Sequence, residues 1–290
     1  MTTHAGRAHP PPAILRALDR GLRKVGRQVA PFPQLEPHPA FPIPARRRLR
    51  HRLLESRGWT IARGYAADFD DDVVEIIRRV TPFTLTSPER LAAVIAAVDH
   101  ILSNELDGAF VEAGVWRGGS MMAAALRLQQ SGSATRDLYL LDTYAGMTKP
   151  GELDAPIGGS AAEAQATWAA TREGEASAWG CATLDEVERN MRSTGYPASR
   201  MHFVKGPVEE TVPGELDCDE LALLRLDTDW YESTAHELQH LYPRLCRGGL
   251  LIVDDYGHWS GARRAVDEYF AEDPTFINRI DYTGRLLVKR

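Results

Sequence analysis

Cysteine is scarce in this 290-residue chain: Cys181, Cys218 and Cys246 lie far apart, and no Cys-x-x-Cys pair occurs. That usage suggests neither a disulfide framework nor a structural zinc site, and a reducing compartment suits it. A basic surplus is missing as well, the formal net charge being -6 and the isoelectric point about 5.9. Proteins that coat nucleic acid or anionic membrane depend on such a surplus, so neither partner is expected. No stretch approaches the roughly 18 apolar residues of a membrane span, and the first thirty residues lack the continuous apolar core of a secretion signal. A soluble, cytoplasmic protein is the expectation.

What is present begins with an uneven distribution of charge. Residues 1–57 hold 12 Lys/Arg against 3 Asp/Glu, and half of the chain's 18 prolines fall between Pro10 and Pro44. Proline lacks the amide donor that regular structure needs, so residues 1–57 read as a basic arm, extended or partly helical up to residue 45. Within it, Ile14 to Val29 has the pattern of a short basic amphipathic helix, lying on the core or a neighbouring subunit or, alternatively, touching a partner or membrane. Residues 58–290, with 43% apolar content over the whole chain, read as one catalytic domain.

From Thr86 the pattern is regular. Ser87-Pro88-Glu89 supplies a cap and a first-turn proline ahead of RLAAVIAAVDHIL, whose apolar spacing predicts a helix. Strands are predicted at 109–113, Leu138 to Leu141, Met201 to Lys205, Leu221 to Leu226 and Leu250 to Val253. Helices are predicted near Ser120 to Gln130, Leu184 to Gly195, Ser233 to Leu245 and Ala262 to Phe270, with a closing hairpin of Ile277 to Asp281 and Arg285 to Lys289. Strands alternating with helices imply a mainly parallel sheet covered on both faces, with an antiparallel edge from the hairpin. Residues 147–182 break the rhythm: long, without a strand signature and carrying Trp168 and Trp179, they read as a lid.

Three strand ends carry polar residues where open α/β sheets bind ligands. Glu112 to Ser120, EAGVWRGGS, sets Gly114, Gly118 and Gly119 between a strand and a helix. Its spacing is neither the dinucleotide fingerprint nor a P-loop, so the turn suits the amino-acid end of a ligand such as S-adenosylmethionine better than a pyrophosphate. Tight packing alone is the alternative. Asp142, ending the next strand, stands where a carboxylate grips a ribose diol, or it caps a helix. The densest group is Asp227 and Asp229 at one strand end with Asp254 and Asp255 at another. Four converging carboxylates repel one another unless protonated or bound to a cation, and oxygen-only ligands favour magnesium, calcium or manganese. Helix capping, or pairing with Arg225, Arg263 and Arg264, is the competing explanation.

The stretches VEAGVWRGGS, LLDTYAGM, FVKGPVEETVP, LLRLDTDWYESTAHELQHLYPRL and GGLLIVDDYG, in this order from about Thr86 to the C-terminus, resemble the macrocin O-methyltransferase family. That family methylates sugar hydroxyls of natural products with S-adenosylmethionine and magnesium. The resemblance implies an α/β, Rossmann-like class I methyltransferase fold with a mainly parallel seven-stranded sheet, helices on both faces and an antiparallel C-terminal hairpin. It implies cofactor contacts from Glu112, Gly114, Val115, Trp116, Gly118, Ser120, Asp142 and Thr143, and, by similarity to catechol-type enzymes, from Val208 and Glu209 near the adenine. Asp227, Asp254 and Asp255 become metal ligands. The implied acceptor is a glycosylated small molecule, a macrolide or aminocoumarin for example, in antibiotic biosynthesis, and a homo-oligomer is expected.

Methyl transfer to a sugar hydroxyl calls for a base, for which Asp229 is the first candidate, with Asp227 and His258 as alternatives. The sequence departs from the family where Asp-Gly-Asp becomes Asp227-Thr228-Asp229; loss of a glycine there bears on the placement of Asp229 if a positive φ is required. Two rival functions follow from the same residues. An NAD-dependent sugar-modifying enzyme is opposed by the glycine spacing and the acid cluster, and a non-catalytic methyltransferase-like scaffold by retention of Asp227, Asp254 and Asp255.

Overall fold

The computed structural model describes residues 65–66, 68–174 and 176–290, together with two earlier strands. The chain forms two compact units, residues 1–74 and 75–290. In the first, β1 (Arg27–Pro31) pairs antiparallel with β2 (Trp59–Arg63). The helix expected over Ile14 to Val29 lies mostly outside the described residues, and its last three residues belong to β1, whose Gln28, Val29 and Ala30 face the Thr-Ile-Ala run of β2. β-branched residues on both strands suit that pairing.

The second unit is built on one sheet. Its strands are β3 (Ala109–Ala113), β4 (Leu138–Asp142), β7 (Met201–Lys205), β8 (Leu221–Leu226), β9 (Leu245–Val253), β10 (Asn278–Arg279) and β11 (Arg285–Val288), in the order β10-β11-β9-β8-β3-β4-β7. β9, β8, β3, β4 and β7 run parallel, and the terminal hairpin adds the antiparallel edge. β3 and β8 are buried along their whole length, which is why they read as apolar runs interrupted only by Glu112 and Arg225. Chain order reverses at the β3–β8 neighbours, so right-handed crossovers send helices to opposite faces and leave a crevice at the carboxyl ends of these two strands.

Helix α1 (Asp71–Val80) precedes α2 (Pro88–Ser103), which starts as predicted: the Ser87 hydroxyl accepts from the Arg90 amide. The sheet helices are α3 (Gly119–Gln130), α5 (Leu184–Arg192), α7 (Tyr231–His240) and α8 (Ser260–Tyr269), and a short α6 (Val208–Thr211) follows β7. Several predicted boundaries shift by one to three residues, and two move by five. The helix expected to reach Leu245 stops at His240, because Pro243 cannot donate to a helical ladder and the chain tightens into a 3-10 turn over Tyr242–Arg244. Strand β9 therefore begins five residues before the predicted Leu250. Residues 147–182 are no bare loop either. They contain α4 (Ala161–Thr171) and a hairpin of β5 (Arg172–Glu173) with β6 (Ala176–Ser177). Eleven residues rich in alanine favour a helix by propensity, while their weak amphipathic pattern concealed it.

Candidate active site

The first strand end is a turn assembled from backbone. Gly114 has φ +78°, and a Cβ there would stand 2.1 Å from the carbonyl oxygen of Asp227, so only glycine fits. Its amide donates to Leu141 O on β4, and the Asp227 amide donates to Ala113 O, each at 2.8 Å. The turn thus sits wedged between the ends of β4 and β8. Gly118, at φ +88°, caps α3, and Ser120 is buried in its first turn.

Asp142 fastens this turn from the end of β4. Its Oδ2 accepts from the amides of Val115 (2.9 Å) and Trp116 (3.1 Å), and its Oδ1 from the amide of Tyr144 (2.8 Å). The Thr143 hydroxyl turns to Gly146 O at 2.7 Å. Burial holds the Asp142 carboxyl above its usual range, an effect the three amides oppose. Oδ1 also stands 3.4 Å from the Thr143 hydroxyl, so a ribose hydroxyl bound there would take the place of that long contact.

The acid cluster is built from side chains and joined by two guanidiniums. Arg225, 3% exposed on β8, donates from Nη1 to Glu112 Oε1 and to Asp227 Oδ2 (2.7 Å), and from Nη2 to Asp254 Oδ1. Arg90, on α2, donates to Asp254 Oδ2 and to Asp281 (3.1 Å), and Ser87 also donates to Asp281 (2.7 Å). Arg225 entered the sequence reading only as a competing partner; it is the member that ties Glu112 of β3 to both acid strands. Arg90 and Asp281 were missed, since one lies in an apolar helix and the other in a hairpin turn.

Negative charge still exceeds positive. Glu112, Asp227, Asp229, Asp254, Asp255 and Asp281 face two arginines, and burial pushes Glu112 up to about 7 against the pull of Arg225. Asp229 is hydrogen-bonded to Asp255 and Trp259; burial, then the charge of Asp227, raises its carboxyl to about 7, and Asp255 is raised by burial and then by the charges of Asp229 and Asp227. One carboxylate oxygen each from Asp227, Asp254 and Asp255 lies within 4.8 Å of the others. Asp255 Oδ2 is buried without a hydrogen-bond partner. An orphaned oxygen beside converging acids fits a hard divalent cation, which would replace protons as the neutralising charge. Asp254 is the least available of the three because both of its oxygens accept from guanidiniums.

The Asp-Thr-Asp departure is accommodated. The left-handed turn falls on Asp229 itself (φ +67°) rather than on Thr228, and the Thr228 hydroxyl donates to the buried Glu237 of α7 at 3.2 Å. Aspartate tolerates that region better than most residues do. Of the remaining predicted residues, Val208 and Glu209 stand just beyond β7, whose end adjoins Asp142 through a Gly206 amide bond to Asp142 O (3.0 Å). Val208 is buried in the core, and Glu209 accepts from Ser233 of α7 at 2.7 Å. His258 is held below its usual range by burial and by Arg90. Trp179, Trp230 and Trp259 pack on one another with ring centroids 4.9 to 6.0 Å apart, which makes them mutual fillers before they are ligand surfaces.

Comparison with known proteins agrees with this arrangement. The macrocin O-methyltransferase (TylF) family model matches residues 67–289. The 8-demethyl-8-(2,3-dimethoxy-alpha-L-rhamnosyl)-tetracenomycin-C 4'-O-methyltransferase of Streptomyces olivaceus is 33% identical over 205 residues, covering 69% of this chain and 73% of its own. The demethyldecarbamoylnovobiocin O-methyltransferase of Streptomyces niveus is 33% identical over 189 residues, 65% of this chain and 68% of its own. The solved structure of the O-methyltransferase NovP is 30% identical with a TM-score of 0.61, covering 71% of this chain and 82% of NovP. The fold is the Rossmann-like class I methyltransferase fold expected from the sequence, and neither an NAD-dependent enzyme nor an inert scaffold is needed to explain it. The chain belongs to the macrocin O-methyltransferase family and is an O-methyltransferase.

Proposed function

We propose that the chain transfers a methyl group from S-adenosylmethionine to a sugar hydroxyl of a glycosylated natural product, with a divalent cation held by Asp227, Asp254 and Asp255. The observation that carries this reading is the direct abutment of the glycine turn on the acid strand, where Gly114 leaves no room for a side chain against Asp227. A methyl donor seated on one and a hydroxyl seated on the other would meet within the β3–β8 crevice.

Glu112, Gly114 to Trp116, Gly118, Ser120, Asp142 and Thr143 form the seat for the donor, with Val208 and Glu209 beside it at the end of β7. When bound, the donor supplies an electrophilic methyl on a sulfonium, and a hard cation lowers the proton affinity of a coordinated hydroxyl. The chain's own residues do the rest. Asp142 preorganises the turn, Arg225 keeps β3 and β8 in register at the site, and orientation of the two reactants supplies several kcal/mol. Asp229 takes the hydroxyl proton: it stands two residues beyond Asp227, at a left-handed turn, and is hydrogen-bonded to Asp255 and Trp259. Asp227, the more exposed carboxylate, is the alternative base.

The relatives named above act on tetracenomycin and novobiocin precursors, and the Micromonospora griseorubida relative, 31% identical, is a mycinamicin III 3''-O-methyltransferase. Glycosides of such scaffolds are the acceptors to screen. Incubation with S-adenosylmethionine and magnesium should add the mass of one methyl group, lost when a chelator is present. No mass gain with any glycoside, while a non-sugar phenol is methylated, would replace the sugar acceptor.

A further inference from the structure

The segment that the sequence marks as a lid reaches the start of α7, just beyond the acid loop, through a buried carboxylate. Asp154 is 2% exposed, and its two oxygens accept from two amides: Oδ2 from Gly151 (2.7 Å) and Oδ1 from Tyr231 (2.8 Å). Tyr231 is the first residue of α7, whose N-cap position, Trp230, supplies no side-chain cap. The cap comes instead from a residue 77 positions earlier. Gly261 of α8 makes room for it, since a Cβ there would stand 2.0 Å from Asp154 Oδ1 and 2.9 Å from the Tyr231 amide.

Neighbouring bonds reinforce the same seam. Trp230 Nε1 donates to Thr148 O (3.1 Å), the Ser260 amide to Ala155 O (2.8 Å), and the Ile157 amide to His258 O (2.8 Å). The acid loop therefore has two anchors. β3 holds its start, where Ala113 O accepts from the Asp227 amide, and the 148–157 stretch holds its end at Trp230 and Tyr231. Between them lies the left-handed Asp229, a conformation that persists only where its surroundings over-determine it.

We propose that Asp154 is a positioning residue: by capping α7 from the inserted segment it holds Asp227 and Asp229 in place, so that residues 148–157 form a fixed wall of the acceptor side rather than a swinging lid. The inference rests on the reading of Asp227 to Trp230 as the acid loop of the active site, and its test separates the two.

The test uses the full chain with Asp154→Ala, Asp154→Asn, Gly261→Ala and the Asp154→Ala/Gly261→Ala pair. Mn2+ affinity is read by electron paramagnetic resonance, amide exchange by mass spectrometry over 148–160 and 227–236, and S-adenosylhomocysteine affinity by calorimetry. Asp154→Ala should weaken Mn2+ about tenfold, the scale of one lost charge-assisted hydrogen bond, and speed exchange in both segments while leaving S-adenosylhomocysteine binding unchanged. Asn, which keeps an acceptor for the Tyr231 amide, should restore most of the Mn2+ affinity. Gly261→Ala, which displaces the carboxylate without removing it, should reproduce the defect, and the pair should add nothing to it. Faster exchange confined to 148–160 with unchanged Mn2+ affinity would overturn the inference, as would an unchanged Gly261→Ala if Asp154→Ala does not fold. If the wild type binds no Mn2+, the metal reading fails by itself, and unchanged exchange over 227–236 would then overturn the positioning role.

Discussion

The two sides of the β3–β8 crevice are built on opposite principles. On the donor side, Asp142 meets three amides and the turn is a hydrogen-bonded backbone object, complete as it stands. On the acid side, six carboxylates meet two arginines, Asp255 keeps an orphaned oxygen, and burial raises the carboxyls of Glu112 and Asp255 despite the guanidiniums nearby. A seat for a ligand of constant shape can be finished by the chain alone. On the function proposed above, a seat that is to lower a hydroxyl's proton affinity would be left over-charged, because such a surplus draws a cation.

Substitutions can break this contrast in graded ways. The largest effect is expected for Arg225→Met, which strands Glu112, Asp227 and Asp254 together; loss of one partner from a buried ionic network costs about 3 to 5 kcal/mol, to be read from urea denaturation. Both sides should fail in this variant. Gly114→Ala comes next. Its side chain would push the turn off Asp227, and a misplacement of about 1 Å can lower turnover on the order of 100-fold. Single-turnover methyl transfer checks it.

Asp142→Ala should affect the donor side alone. The amides of Val115, Trp116 and Tyr144 lose their acceptor, and S-adenosylhomocysteine affinity should fall by about 1.5 to 3 kcal/mol in calorimetry with Mn2+ binding intact. The smallest effect is expected for Glu112→Gln. Folding raises this carboxyl from 4.5 to about 7, so the folded state holds its proton where the unfolded state has lost it. Wild-type stability from this group is therefore lost as pH rises from about 4.5 to about 7. Glutamine, which still accepts from Arg225, should flatten that slope, and unchanged slopes in parallel urea titrations would locate the pH dependence elsewhere.

Legibility from sequence followed the same division. The strand Leu221–Leu226 was readable to the residue because a buried parallel strand is apolar at nearly every position, the half-buried Met201–Lys205 because Met, Phe and Val mark a strand at the sheet edge, and the glycine turn because positive φ and close approach demand glycine. Asp227, Asp254 and Asp255 announced themselves by density at strand ends. What could not be read depends on contacts across long sequence separations. Arg225 interrupts an apolar strand without revealing which acids it joins, Arg90 reaches Asp254 across 164 positions, and Asp154 caps a helix 77 positions away. Helix α4 escaped because an alanine-rich run carries propensity without periodicity, and α7 was overextended by passing over Pro243.

The contrast between a finished donor seat and an over-charged acid seat is tested most directly by one paired measurement on the wild-type chain. S-adenosylhomocysteine affinity and methyl transfer to a glycoside bearing a vicinal diol are each measured in excess magnesium and in excess chelator. The account predicts equal affinity in the two conditions and methyl transfer only with magnesium. Methyl transfer at the same rate in chelator would contradict it.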